Sequence, residues 1–288
     1  MVSRPPDVPA GTTAPVRAEA GWLRLREPAD AAARAPDLVT QLAPWLPTGG
    51  AVIHDLGSGT GAMARWLAPR LDGRQHWVLH DRDEELLTLA GADRPVGARD
   101  GAPVTVETRS GDITRLHGDV LAGGHLVTAS ALLDMMTAQE LARLVALCVD
   151  AGCPVLVTLG VIGRVDLAPA EPFDTRVAAA FNDHQRRSTH AGRLLGPDAF
   201  RTAVDLLRES GMEVLVRPSP WRLGPSQSSL AAEWLAGWLA AAVEREPGLE
   251  EEAGPYRLRR LGQVAGGRLS TTVHHRDLLA LPGRRTSR

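Results

Sequence analysis

The chain has 288 residues, and 32 Lys+Arg against 34 Asp+Glu give a formal net charge of −2. That length fits one large domain or two small ones, and a 44% hydrophobic content supplies ample material for a core. The near-zero charge argues against a protein built mainly to grip nucleic acid, which would carry a basic excess. Every basic residue is Arg, so neither a Schiff base nor a general base can come from Lys. Cys148 and Cys153 are too few for a disulfide framework, or for a zinc site without histidines, and no metal is expected.

Residues 1–21 are rich in Pro, Ala and Thr and have no apolar signal-peptide core. A disordered leader is expected there, with no export signal and a cytoplasmic protein. Residues 22–48 carry apolar positions at helical spacing, interrupted near Pro36, which predicts one or two amphipathic helices. A strand, AVIHDLG, follows Gly49-Gly50. A helix over AMARWLAPRL, a second strand QHWVLHD ending at Asp81 and a helix DEELLTLAGA come next. The third strand, VTVETRSGD, alternates and ends at Asp112; the fourth, HLVTASALLD, runs into a loop. Thr137 with Glu140 three residues on reads as a capping box opening the next helix, and CPVLVTLGV is a fully apolar fifth strand.

Residues 164–195 break this rhythm and are expected to form a polar substrate-side insertion or lid rather than core. A helix between Pro197 and Gly211, a sixth strand MEVLVRPSPW, a helix over SSLAAEWLAGWLAAAVERE and a last strand LSTTVHHRDLLAL complete residues 49–281 as one domain. Residues 282–288 form a flexible tail. Flat apolar strands alternating with helices predict a parallel sheet covered on both faces, its strand C-termini aligned along one edge. No window approaches the roughly 18 consecutive apolar residues of a membrane span.

The informative motif is Asp55-Leu56-Gly57-Ser58-Gly59-Thr60-Gly61, which leaves a strand and enters a helix. Its G-x-G-x-G spacing is not the G-x-G-x-x-G of dinucleotide binders, and no G-K-[ST] follows. Asp55 at the strand end would repel a pyrophosphate and accept hydrogen bonds from an ammonium. A nicotinamide-dependent oxidoreductase is disfavoured on both counts.

Here the sequence resembles the class I S-adenosylmethionine-dependent methyltransferases, over approximately residues 51–161 and more loosely beyond. The resemblance implies a Rossmann-like, doubly wound, three-layer α/β/α fold. Its sheet has seven strands, mostly parallel, with an antiparallel last strand, and an N-terminal helical lid covers it. It also implies that Asp55, Gly57, Ser58, Gly59 and Gly61 cradle the methionine and ribose parts of S-adenosylmethionine, the product being S-adenosylhomocysteine. Asp81 would take the ribose diol, with Arg82 against the adenine face. Asp112 and Ile113 would read the adenine edge, and Ser130 and Asp134 would floor the active site. Arg34, more than Arg26, is the candidate partner for the methionine carboxylate on the lid.

For methyl transfer, Asp134 and His184 are the candidate proton acceptors, with Asp183 and His190 behind them. Trp66, Trp234 and Trp238 sit at core spacing, whereas Trp221 is a candidate for the pocket rim. His54 and His80 read as core, and His274 and His275 as pointing to opposite faces. The Asn/Asp-Pro-Pro-Tyr/Phe motif of amino-group methylation is absent after the fourth strand, as is a cytosine-type catalytic cysteine. A small-molecule acceptor is therefore expected, its O, N or C nucleophile open, with no nucleic-acid or membrane partner. A cofactor-binding regulator or scaffold without turnover, and an enzyme acting on RNA or protein, are the alternatives.

Overall fold

The structure, a computed structural model, describes residues 18–283. Most of the expected leader and the last five residues of the expected tail lie outside that range. The first helix, α1 (Ala20–Ala33), begins two residues before the expected lid boundary and runs through Pro28. It breaks at Arg34, and Pro36 opens α2 (Pro36–Leu42), where its missing N–H costs nothing. Next come β1 (Ala51–Leu56), α3 (Ala62–Leu67), β2 (Gln75–Asp81), α4 (Glu84–Ala92), β3 (Val104–Ser110) and β4 (Leu126–Ser130). The predicted Thr137–Glu140 capping box is present at the start of α5 (Ala138–Asp150).

The second half contains β5 (Val155–Ala168), α6 (Pro172–Gln185), α7 (Ala199–Glu209) and β6 (Glu213–Pro218). It closes with α8 (Ser228–Arg245), α9 (Glu250–Ala265) and β7 (Ser270–Leu281). A short hairpin, Ser188–Thr189 with Gly192–Arg193, and a three-residue strand, Trp221–Leu223, complete it. The sheet order is β3-β2-β1-β4-β5-β7-β6. Only β7 is antiparallel to its neighbours, and the fold is the expected Rossmann-like one. β3 lies at an edge, which is why it alternates while the central strands are apolar throughout.

Successive strand residues alternate between two cores. Leu56, Val127, Val155, Val157 and Leu278 pack with α5 and α7. Ile53, Leu126, Leu156 and Leu279 pack on the opposite face with α2, α3 and α4. A third core joins α6, α8 and α9 to the outer halves of β5 and β7, which outrun the other strands. Phe173, Val177 and Ala180 are buried in it. Residues 164–195 are therefore not a polar excursion: β5 continues to Ala168, and a well-packed helix follows. α9 carries no simple periodicity because Gly254, Pro255 and Gly262 interrupt it, and it was not anticipated.

One irregularity positions the site. Opposite Asp277, β5 carries an extra residue, and Leu159 there has a φ of +57°. Its N–H, lost to the ladder, donates to Asp277 Oδ1 at 2.8 Å, while the N–H of Ala35 in the α1–α2 link donates to Asp277 Oδ2 at 2.8 Å. A buried carboxylate thus ties the α1–α2 link to a bulge in the sheet. Asp277→Ala leaves two buried donors unsatisfied and is expected to cost about 2–5 kcal/mol, measured as the shift in urea unfolding free energy.

Candidate active site

The C-terminal ends of β1 to β4 meet under α1 and α8 around a cavity of about 700 Å³. That is room for a nucleoside-sized ligand and a second small molecule. The glycine loop forms one wall. Gly57 has a φ of +65°, which strains any other residue, and a Cβ there would lie 2.7 Å from Leu132 Cδ1 and push that side chain aside. The Ser58 N–H donates to His80 O at 3.0 Å, and the Gly59 N–H donates to Asp81 Oδ2 at 2.8 Å. Asp81 Oδ1 accepts from the Asp83 N–H at 3.0 Å. Both carboxylate oxygens of Asp81 are thereby held in place, each with lone-pair capacity left over.

Gly57, Ser58, Gly59, Asp81, Arg82, Asp112, Ile113 and Ser130 all line the cavity, as do Asp55, Arg34 and Asp134. Gly61 does not. Its φ of +79° starts α3, and a Cβ there would press on Ala90 Cβ at 3.3 Å, so its smallness serves the packing of α3 on α4. Asp112 Oδ1 accepts from the Thr114 N–H at 3.0 Å and its hydroxyl at 2.7 Å, fixing the turn after β3.

Arg34 is only 3% exposed. It sits over the sheet where the bulge turns Thr158 upward. Nε donates to Thr158 Oγ1 at 3.3 Å and Nη2 to Ser130 Oγ at 3.1 Å, and the Thr158 hydroxyl donates to Ser130 Oγ at 3.0 Å. Its third nitrogen, Nη1, is buried without a partner. Burial lowers the Arg34 pKa, opposed by the charges of Asp30, Asp277 and Asp55.

Asp55 accepts from the Thr128 hydroxyl through Oδ1 at 2.7 Å, while Oδ2 has no partner; Ser58 Oγ has none either. Burial pushes the Asp55 carboxyl up to about 7, resisted by the Thr128 bond and Arg34 and reinforced by Asp81. One end of the cavity is therefore lined by Arg34, Asp55 and Ser58, each of which keeps one buried polar atom without a protein partner.

The other end is apolar and aromatic, with Trp22, Met135, Met136, Phe181, Trp234 and Trp238 on its walls. Trp234 and Trp238, expected as core, belong to the wall as well. Trp221, expected at the rim, lies behind it: its indole N–H donates to Asp30 Oδ1 at 2.9 Å, and Arg26 lies over its ring at 4.9 Å. Asp134 is pushed up to about 6 by burial, held down in part by Arg26, Arg187 and Gln185.

His184 is not on the wall; its Nε2 faces Glu244 Oε2 at 3.4 Å. Asp183 pairs outward with Arg245, and His190 sits exposed in the hairpin turn. His54 and His80 are buried, His54 Nδ1 lying 3.0 Å from His80 Nε2. Leu23, Arg26 and Asp30 of α1 line the cavity too, and α1 is pinned to α3 by a two-pronged pair, Arg65 Nε and Nη2 donating to Glu27 at 2.8 and 2.6 Å.

No family model and no curated protein matches the chain. Among solved structures, it is similar to a SAM-dependent methyltransferase from Thiobacillus denitrificans in complex with S-adenosyl-L-homocysteine. The identity is 16%, the alignment covers 93% of this chain and 100% of that one, and the TM-score is 0.45. A Geobacter sulfurreducens SAM-dependent methyltransferase, also in complex with S-adenosyl-L-homocysteine, is 16% identical over 90% of this chain and 98% of that one, with a TM-score of 0.42. The cyclopropane synthase MmaA2 from Mycobacterium tuberculosis is 12% identical over 85% and 83%, with a TM-score of 0.44. Among the described residues, no cluster of three or more His, Cys, Asp or Glu could hold a metal ion, and no helix is long and apolar enough to cross a membrane.

Gly61→Ala is expected to lower the unfolding free energy by roughly 1–2 kcal/mol, because the left-handed backbone strains alanine. Urea denaturation of the variant against the parent chain checks it.

Proposed function

We propose that this chain is a cytoplasmic S-adenosylmethionine-dependent methyltransferase acting on a small molecule. The observation that carries the reading is a cavity end lined by Arg34 and Asp55, each with one buried polar atom, Nη1 and Oδ2, that has no protein partner. A guanidinium lacking an acceptor beside a carboxylate lacking a donor is the complement of an α-amino acid head group. A phosphate-bearing dinucleotide would leave Asp55 worse than unpartnered.

Along the wall from that pair, Asp81 offers lone pairs to a ribose diol. Asp112 and Ile113 border the space for an adenine, with Arg82 beside it. Bound there, the cofactor would supply a methyl group on a sulfonium, already activated for in-line displacement. The chain's part is to hold, align and keep dry. Leu23 of α1 lies over the loop at Gly59, its Cδ1 3.2 Å from where a Cβ would stand, and the Glu27–Arg65 pair keeps the helix down. In this reading α1 and α2 are the lid. Ser130 and Thr158 orient Arg34, and Asp134 faces the acceptor as the group able to take a proton.

Isothermal calorimetry with sinefungin, a non-reacting analogue, tests the site. Saturable binding is expected. Arg34→Met should weaken it about 10–100-fold, the worth of a charge-assisted bond, and Asp81→Ala and Gly59→Arg should weaken it at least as much. No heat with the parent chain, or unchanged affinity in all three variants, overturns the assignment.

The pH dependence has a definite sign. The Asp55 carboxyl sits at about 7, so below that pH it holds its proton and must lose it to meet an ammonium. Affinity should rise by up to tenfold per unit from pH 5.5 and level off above 7. In Asp55→Asn the slope should vanish.

A further inference from the structure

We infer that Asp277 is a positioning residue for the carboxylate end of the ligand. From behind the cavity wall it sets where Arg34 holds its guanidinium, and so it decides affinity for ligands that carry a carboxylate without touching them. This rests on the methyl-transfer reading and adds to it the residue that fixes head-group selectivity.

Arg34 is held at three points. Its Nε donates to Thr158 Oγ1 at 3.3 Å and its Nη2 to Ser130 Oγ at 3.1 Å. Its backbone is held through the next residue, Ala35, whose N–H donates to Asp277 Oδ2 at 2.8 Å. Asp277 governs two of the three, because its Oδ1 accepts at 2.8 Å from the N–H of Leu159, the residue that follows Thr158. Asp277 itself is fully buried and lies behind the wall rather than on it.

The backbone shows why that hold is needed. Ser130 and Thr158 face each other in the β4–β5 register. Each is followed by a non-glycine residue of positive φ, Ala131 at +50° and Leu159 at +57°. Left-handed backbone strains a residue that carries a Cβ. The Ala131 N–H is taken up across the strand pair by Thr158 O at 3.0 Å. The Leu159 N–H has left the ladder, and its acceptor is the Asp277 side chain. Without that acceptor Leu159 relaxes toward ordinary strand conformation, and Thr158, one residue before it, turns with it. The hydroxyl under Arg34 Nε then moves.

Charge separates this role from a plain structural tie. Two amides can be capped by any pair of acceptors, and a buried carboxylate is the costly choice unless a cation answers it. The cation is Arg34: burial lowers its pKa, and Asp277 is one of the carboxylates opposing that shift. Asp277 thus fixes the seat of the guanidinium and helps keep it charged, while Nη1 is left without a protein partner. A ligand carboxylate needs both the place and the charge; an adenine or a ribose needs neither.

The full chain is titrated calorimetrically with S-adenosylhomocysteine and with decarboxylated S-adenosylhomocysteine, which keeps the amine and lacks the carboxylate. Asp277→Asn preserves the size of the side chain but can accept from only one of the two N–H groups. It is expected to weaken S-adenosylhomocysteine about tenfold and to leave the decarboxylated ligand within about threefold of the parent. Thr158→Val, which removes the hydroxyl under Arg34 Nε, should show the same split. In Arg34→Met the ligand carboxylate has already lost its partner, so adding Asp277→Asn should cost no more than about twofold further. Equal weakening of the two ligands, whether by misfolding or by general loosening of the site, overturns the proposal. So does an unchanged S-adenosylhomocysteine affinity in Asp277→Asn, a Thr158→Val variant without the split, or an additive loss in the double variant. Failure of both ligands to bind the parent chain would instead bring down the methyl-transfer reading, and this proposal with it.

Discussion

A guanidinium buried at the end of a parallel sheet must be compensated, and the architecture around Arg34 is organised to do so incompletely. Thr158 and Ser130 satisfy two of its nitrogens. Asp30, Asp55 and Asp277 supply the counter-charge, but Nη1 is left bare. Every neighbouring irregularity serves that placement. The bulge at Leu159 aims Thr158, and Asp277 fastens both that bulge and the backbone at Ala35. The helix break at Arg34 lets the side chain drop onto the sheet. Burying a charge is costly unless it is paired and hydrogen-bonded. In the function proposed above, the partner withheld from Arg34 is the one that a ligand's carboxylate would supply.

The cavity divides by chemistry along its length. Strand ends and their turns furnish the polar half, because parallel strands deliver their C-termini to one edge whatever their sequences. Helices that stand off the sheet furnish the aromatic half. The extended ends of β5 and β7 hold those helices there, packed into a core of their own. The first half is rigid through short-range bonds, such as Asp81 to the Gly59 and Asp83 amides. The second half owes its shape to the mutual packing of α1, α6 and α8.

This division also explains what could be read from the residues alone. Asp55, Asp81 and Asp112 punctuate apolar runs, so strand periodicity with a glycine loop placed them together before any coordinates. Gly61 belongs to the same run of letters but serves helix packing, a distinction that spacing does not encode. The aromatic half draws on positions near 22, 134, 181 and 234, far apart in the chain. Trp234 and Trp238 carry the i, i+4 signature of a buried stripe whether that stripe meets a core or a ligand. His184 shows the reverse: its residue type suits proton transfer, but it sits about 100° around the helix from Gln185 and turns toward Glu244. Residues 164–195 looked irregular because β5 runs on under a new face and α6 packs with α8, a partner 50 residues downstream.

Helix α1 contributes to both halves: Leu23 covers the glycine loop while Trp22 and Arg26 reach the aromatic end, and the Glu27–Arg65 pair clasps the whole element to α3. One helix thus roofs both compartments, fastened by the Glu27–Arg65 pair on one side and the Asp30–Trp221 bond on the other, so any displacement of α1 alters the polar and the aromatic halves together.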